Sequence, residues 1–163
     1  MTEEPGRRQS SPYGAITGQD AVDAKVERLS EVLRGVELFS KFGDRSLREL
    51  AQLAQERQVG PETVLMQEGG EGNSLTVFLK GSARVERSGA TVAHIPEGSY
   101  VGEMALLDGK PRSATVITDG DAELILLSKP LFDHFIESEP ALRNAIILEL
   151  VERVRRVLPG PLD

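Results

Sequence analysis

Gly102-Glu103-Met104-Ala105-Leu106-Leu107-Asp108-Gly109-Lys110-Pro111-Arg112-Ser113-Ala114-Thr115-Val116 is the stretch that decides both the fold and the chemistry of this 163-residue chain. It reads as two strands joined by a very short helix and a loop. Gly102 leaves the backbone open to close approach. The amides just after it form a helix N-terminus, with free N–H groups and a partial positive charge suited to an anion. Arg112, nine residues after Glu103, is expected to open the next strand and turn its guanidinium toward that helix end. A fork-shaped cation beside backbone donors suits a phosphate diester. Glu103 cannot bind phosphate, but its carboxylate can accept a hydrogen bond from a ribose hydroxyl. A donor cluster plus one acceptor describes a sugar phosphate ligand.

Outward from this run, residues 59–128 alternate with period two and are broken by turn residues every eight to twelve positions. That texture is the signature of an antiparallel barrel or sandwich. Leu75, Val77 and Leu79 alternate with Thr76, Phe78 and Lys80, Ser88-Gly89 makes a hairpin turn, and Leu124 to Leu127 is apolar on both faces and so central. Before the strands, Val22, Val26, Leu29 and Leu33 mark one helix, capped by Asp20 and ended by Gly35. Leu47, Leu50, Ala51 and Ala54 mark a second, with Ser46 and Glu49 at capping-box spacing, so helices occupy 20–56. After the strands, Ser128 caps a short helix with Pro130 in its first turn. A longer helix runs from Ser138-Pro140 to about Leu158, stopped by Pro159-Gly160-Pro161, giving C-terminal helices over 129–158. Residues 1–18 have no apolar period and read as a flexible tail, leaving one domain over 19–158.

Composition excludes several classes. With 39% hydrophobic residues, 4% aromatic and no Trp, one aliphatic core is affordable and two are not. A net charge of −7 has the wrong sign for a nucleic-acid partner, and no polybasic block points to a membrane. The absence of cysteine removes disulfides, thiolate nucleophiles and Cys-based zinc sites. The polar N-terminal residues carry no signal-peptide pattern, so the expected location is cytoplasmic. His94 and His134 stand 40 positions apart without metal-ligand spacing and read as surface residues, and no cofactor or metal is called for. Ser10-Ser11 and Ser138 lack a nucleophile motif. Gly69, Gly70 and Gly72 read as strand-connecting turns, since no Gly-Lys-Ser/Thr follows.

The run from Gly102 to Val116 resembles the phosphate-binding cassette of the cyclic nucleotide-binding domain family, which includes protein kinase A regulatory subunits, catabolite activator proteins and cyclic nucleotide-gated channels. The resemblance extends to Leu38-Phe39 with Leu47, Leu50 and Ala51, to Gln67-Glu68-Gly69 through Gly81, and to Gly98-Ser99-Tyr100-Val101, spanning roughly residues 30–157. It implies an α+β fold, a jelly-roll-like antiparallel β-barrel (a double-stranded β-helix) with flanking helices. It also implies a non-enzymatic receptor for a 3′,5′-cyclic nucleotide. Glu103, with Gly102, would hold the ribose 2′-hydroxyl, and Arg112 the exocyclic phosphate oxygen. The amides of Met104 and Ala105, with Ser113 and Ala114, would complete the cradle, while Leu106 and Leu107 anchor the short helix. Ser113 favours cAMP over cGMP by analogy with catabolite activator proteins.

The alternatives are a ligand-independent interaction module, in which Glu103 and Arg112 merely form an internal ion pair, and a DNA-binding activator, for which five residues after Leu158 are too few. The effector is another protein or a second copy of the chain, paired through Ile147, Val151, Val154 and Leu158 on the last helix. That helix is also the expected moving part, with Arg153 and Arg156 placed to meet a purine face.

Overall fold

The computed structural model describes residues 18–157. In chain order the elements are α1 (Gly18–Arg34), a 3-10 turn (Glu37–Phe39), α2 (Asp44–Leu53), β1 (Gln55–Val59), β2 (Val64–Met66), β3 (Ser74–Lys80), β4 (Ala83–Arg87) and β5 (Ala90–Ile95). β6 (Tyr100–Val101), α3 (Glu103–Asp108), β7 (Thr115–Thr118), β8 (Ala122–Ser128), α4 (Lys129–Ser138) and α5 (Pro140–Val157) complete the described residues. The expected tail, apart from Gly18, and the expected stop at Leu158 to Pro161 lie outside the described residues, as do Ser10 and Ser11.

Among the described residues eight antiparallel strands form two four-stranded sheets, ordered β1-β8-β3-β6 and β2-β7-β4-β5. The sheets are not closed into the expected barrel. Closure needs edge strands that pair across the gap, yet β2 and β6 run only three and two residues, and β5 is exposed up to Ile95. Between β4 and β5, Ser88 and Gly89 both take positive φ, the two-residue turn whose twist suits a hairpin.

β3 and β8 form a wall shared by two cores. Leu75, Val77, Ile125 and Leu127 face the helices, packing with Leu29, Leu50, Phe39 and Phe135. Phe78 and Leu124 face the other sheet, with Met66, Ala83, Ile95 and Val116. Leu75, Thr76, Val77 and Phe78 are therefore all buried, and the expected in-and-out alternation is absent because both faces are covered. β8 lies between β1 and β3, as its unbroken apolar run requires. Each large apolar side chain removed from water here contributes about 1.5–3 kcal/mol.

The helices close the first core, with several departures from the sequence reading. Val26, Leu29 and Leu33 of α1 are buried, but Val22 is 52% exposed because every residue of α1 before Val26 is exposed. Asp20 sits in the first turn of α1 rather than ahead of it. α2 begins one residue after Gly43, so Ser46 and Glu49 lie inside it and form no capping box. Instead the Ser46 hydroxyl donates to the Glu139 carboxylate, and Glu49 meets the exposed His134 at 2.7 Å, fastening α2 to α4 and its junction with α5. β1 starts at Gln55, inside the stretch expected to be helical, because its backbone pairs with β8 from Gln55↔Leu126 onward. Ser128 caps α4 as expected, accepting from the Leu131 N–H at 3.4 Å. Phe135 of α4 packs on Phe42, and Phe42 on Phe39, with centroids 5.8 and 5.3 Å apart. No described helix is long and apolar enough to cross a membrane.

Candidate functional site

Register delivers the cassette to its place. β6 pairs with β3 through Thr76↔Val101 and Val77↔Tyr100, which sets Gly102 beside Ser74 at the end of the wall. Gly102 takes φ +102°, in the left-handed region, and a Cβ there would stand 2.7 Å from both Arg112 Nη1 and Met66 Cε. No other residue fits both demands. α3 follows for six residues and ends at Gly109, whose N–H bonds the Ala105 carbonyl at 3.0 Å. Ala105 and Leu106 are buried and Leu106 joins the helix-facing core. Leu107 does not anchor the helix as expected: it is 49% exposed, because the short α3 buries only the side that carries Glu103, Ala105 and Leu106.

Arg112 is held on every side. Its backbone N–H donates to the Gly70 carbonyl and its own carbonyl accepts from the Gly69 N–H, both at 2.8 Å. Its Nη1 donates to the Gly102 carbonyl at 2.8 Å and its Nη2 to the Ser74 carbonyl at 2.7 Å. The residue is 7% exposed, and burial lowers its pKa against the opposing pull of Glu103. β7 starts at Thr115, so Arg112 lies in the loop before the strand rather than opening it. Ser113 is exposed with its carbonyl accepting from Arg87 Nε at 3.1 Å, and Ala114 is half-buried.

The ion pair considered between Glu103 and Arg112 does not form. Glu103 is 2% exposed, and its Oε1 accepts from Arg153 Nη1 of α5 at 2.6 Å. Arg153 Nη2 donates to Glu149 Oε1, one turn back on the same helix, also at 2.6 Å. Burial opposes the Arg153 charge, but Glu103 and Glu149 outweigh it and raise the pKa. The Tyr100 hydroxyl faces Glu149, and burial, then that carboxylate, push its pKa well above the usual phenol value. Arg153 therefore meets a carboxylate, while Arg156 is exposed and, among the described residues, reaches the Glu152 carbonyl of its own helix.

Two contributors escaped the sequence reading. Gly72 is more than a turn residue: a Cβ there would lie 2.1 Å from Ala105 Cβ and 3.2 Å from Arg112 Cζ, so the β2–β3 loop packs directly on the cassette. The Glu149–Arg153 pair has readable i,i+4 spacing, but nothing local announces Tyr100 or Glu103 as its neighbours. A groove of about 810 Å³ also runs behind this network, between the 3-10 turn and α5, lined in part by Leu38, Tyr100, Leu148 and Glu149 but not by Glu103 or Arg112. Among the described residues no cluster of His, Cys, Asp and Glu could hold a metal.

The cassette, its supporting strands and α4 fall within residues 56–139, just over half of the chain, which match the family model described as "Cyclic nucleotide-binding domain". The chain belongs to the cyclic nucleotide-binding domain family. A cAMP-dependent protein kinase regulatory subunit from Yarrowia lipolytica is 31% identical over 118 residues, covering 66% of this chain and 32% of that protein. Among solved structures, "cAMP bound PfPKA-R (141-441)" superposes with a TM-score of 0.75 at 23% identity, covering 86% of this chain and 48% of that one. The regulatory subunit of a cAMP-independent protein kinase A from Trypanosoma brucei gives 0.69 at 19% identity, covering 83% and 47%. Both likenesses concern the fold. The chain spans 32–38% of the length of the first curated relatives it matches.

Proposed function

We propose that this domain is a non-enzymatic, cytoplasmic receptor for a 3′,5′-cyclic nucleotide, with cAMP preferred to cGMP. The observation that carries this reading is Arg112, a residue 7% exposed whose guanidinium makes no ion pair among the described residues and is braced by two main-chain carbonyls. A buried cation without a contacting carboxylate is costly unless an anion completes it. Arg112 takes the exocyclic phosphate oxygen, helped by the amides of Met104 and Ala105 and by Ser113 and Ala114. Glu103, presented by Gly102, takes the ribose 2′-hydroxyl. The preference for cAMP rests on Ser113, which resembles the residue of cAMP-binding catabolite activator proteins at a place where cGMP-preferring members often carry Thr. The output passes through α5 to an effector protein or to a second copy of the chain; the regulatory-subunit relative makes a kinase the first effector to try.

The second reading, a ligand-independent interaction module, is favoured by the likeness to a regulatory subunit described as belonging to a cAMP-independent kinase. Thermal shift separates the two. A ligand at a hundredfold its Kd adds about 2.7 kcal/mol of stability, so cAMP should raise Tm clearly. If no cyclic mono- or dinucleotide shifts melting, the receptor reading fails and the module reading stands. Competition in which cGMP binds tenfold tighter than cAMP overturns the preference alone.

A further inference from the structure

The Glu103 carboxylate is divided between two directions. Oε1 is committed to Arg153, whereas Oε2 has no hydrogen-bond partner among the described residues. Among the described residues no fully buried side-chain polar atom is left without a partner, and Glu103 as a whole is 2% exposed. Arg153 is not free to swing. Its second terminal nitrogen is tied to Glu149 at 2.6 Å, and Glu149 is faced by the buried Tyr100 of β6, two residues before Gly102 on the strand that leads into the cassette. Tyr100, Glu149, Arg153 and Glu103 thus form a loop of contacts that leaves the cassette strand, crosses α5 and returns to the cassette.

We propose that Arg153 is a positioning residue for ribose recognition: it holds Glu103 by one oxygen so that the other faces the nucleotide 2′-hydroxyl, and Glu149 and Tyr100 hold Arg153 in place. A buried carboxylate stripped of its cation turns toward water and is no longer aimed at the ligand. The 2′-hydroxyl is then read well only while α5 is docked. Sugar recognition and α5 position become one equilibrium, and by reciprocity the hydroxyl favours the docked helix. The inference rests on the receptor reading above and assigns its sugar selectivity to a residue 50 positions from the cassette carboxylate.

Calorimetric titration of the full chain with cAMP and with 2′-deoxy-cAMP tests it. Wild type should bind cAMP about tenfold or more tightly than the deoxy analogue, the usual worth of a hydrogen bond to a charged group. In Arg153→Gln the cAMP affinity should fall about tenfold and the deoxy affinity less than about threefold, so that the two ligands converge. Arg153→Lys should restore part of the difference, and Glu149→Gln should reproduce part of the loss. Because both ligands are measured on one protein, a general loosening of the fold lowers both together and is told apart. Equal losses for the two ligands, no preference in wild type, or tighter cAMP binding in Arg153→Gln, the mark of a latch that the ligand must displace, would each overturn the proposal. If neither ligand binds wild type, the receptor reading itself has failed.

Discussion

Gly72 carries no side chain because Ala105 stands where its Cβ would be. Gly72→Ala must push α3 or the Arg112 side chain aside, an overpacking that costs about 1–3 kcal/mol. The expected result is a Tm lower by about 4 °C or more in a thermal melt, with weaker cAMP binding in the same protein. A variant that melts and binds like wild type would show that the loop yields without disturbing the cassette. Arg112 admits a sharper substitution. Arg112→Lys keeps the charge but loses the planar fork that bonds both the Gly102 and Ser74 carbonyls. Disrupting a desolvated charge pair costs about 2–5 kcal/mol, so cAMP affinity should drop at least about thirtyfold by calorimetry. A loss smaller than about fivefold would remove Arg112 from the centre of recognition.

α5 offers a controlled comparison between adjacent side chains. Ile146 is 2% exposed against the first core and Ile147 is 51% exposed beside it. Ile146→Ala should destabilise the domain by about 2–4 kcal/mol in urea unfolding, and Ile147→Ala should stay within about 0.5 kcal/mol in the monomer. Equal effects would mean that the helix docks with a different face. Helices and strands whose residues announce themselves were legible in advance: the Ser128-Lys129-Pro130 start of α4, the apolar run of β8, and the Ser88-Gly89 hairpin. β1 was not, because Gln55-Glu56-Arg57-Gln58 has no apolar alternation and is made a strand by its partner β8. Ser46 and Glu49 fit a capping pattern locally, yet Glu139 and His134 reach them through the fold. The same division runs through the candidate site. Gly102, Glu103 and Arg112 lie within eleven residues and could be read together, whereas Arg153 reaches Glu103 only after the chain has wrapped both sheets. Barrel closure failed for a related reason: period-two patterning identifies strands but does not state how far edge pairs extend.

The molecule as a whole is anchored unevenly. α5 is packed by Leu142 and Ile146, with Ala145 and Leu150 half-buried against the same core, is tied near its end by Arg153, and carries exposed Leu148, Val151, Val154 and Val157. A helix whose last two turns are held by an ion pair rather than by buried side chains shifts position more cheaply than one packed along its length. Hydrogen exchange in residues 140–157 should slow on adding cAMP, and its exposed apolar row should bring two chains together in light scattering. Unchanged exchange, with a monomer mass in both states, would leave α5 as a passive wall of the core. The opposite behaviour belongs to β3 and β8, whose two faces serve different cores. Neither core should melt while the other survives, since both draw lining residues from the two strands they have in common. Heat should therefore take the sheets and α1, α2 and α4 apart in a single cooperative endotherm, with calorimetric and van't Hoff enthalpies in agreement.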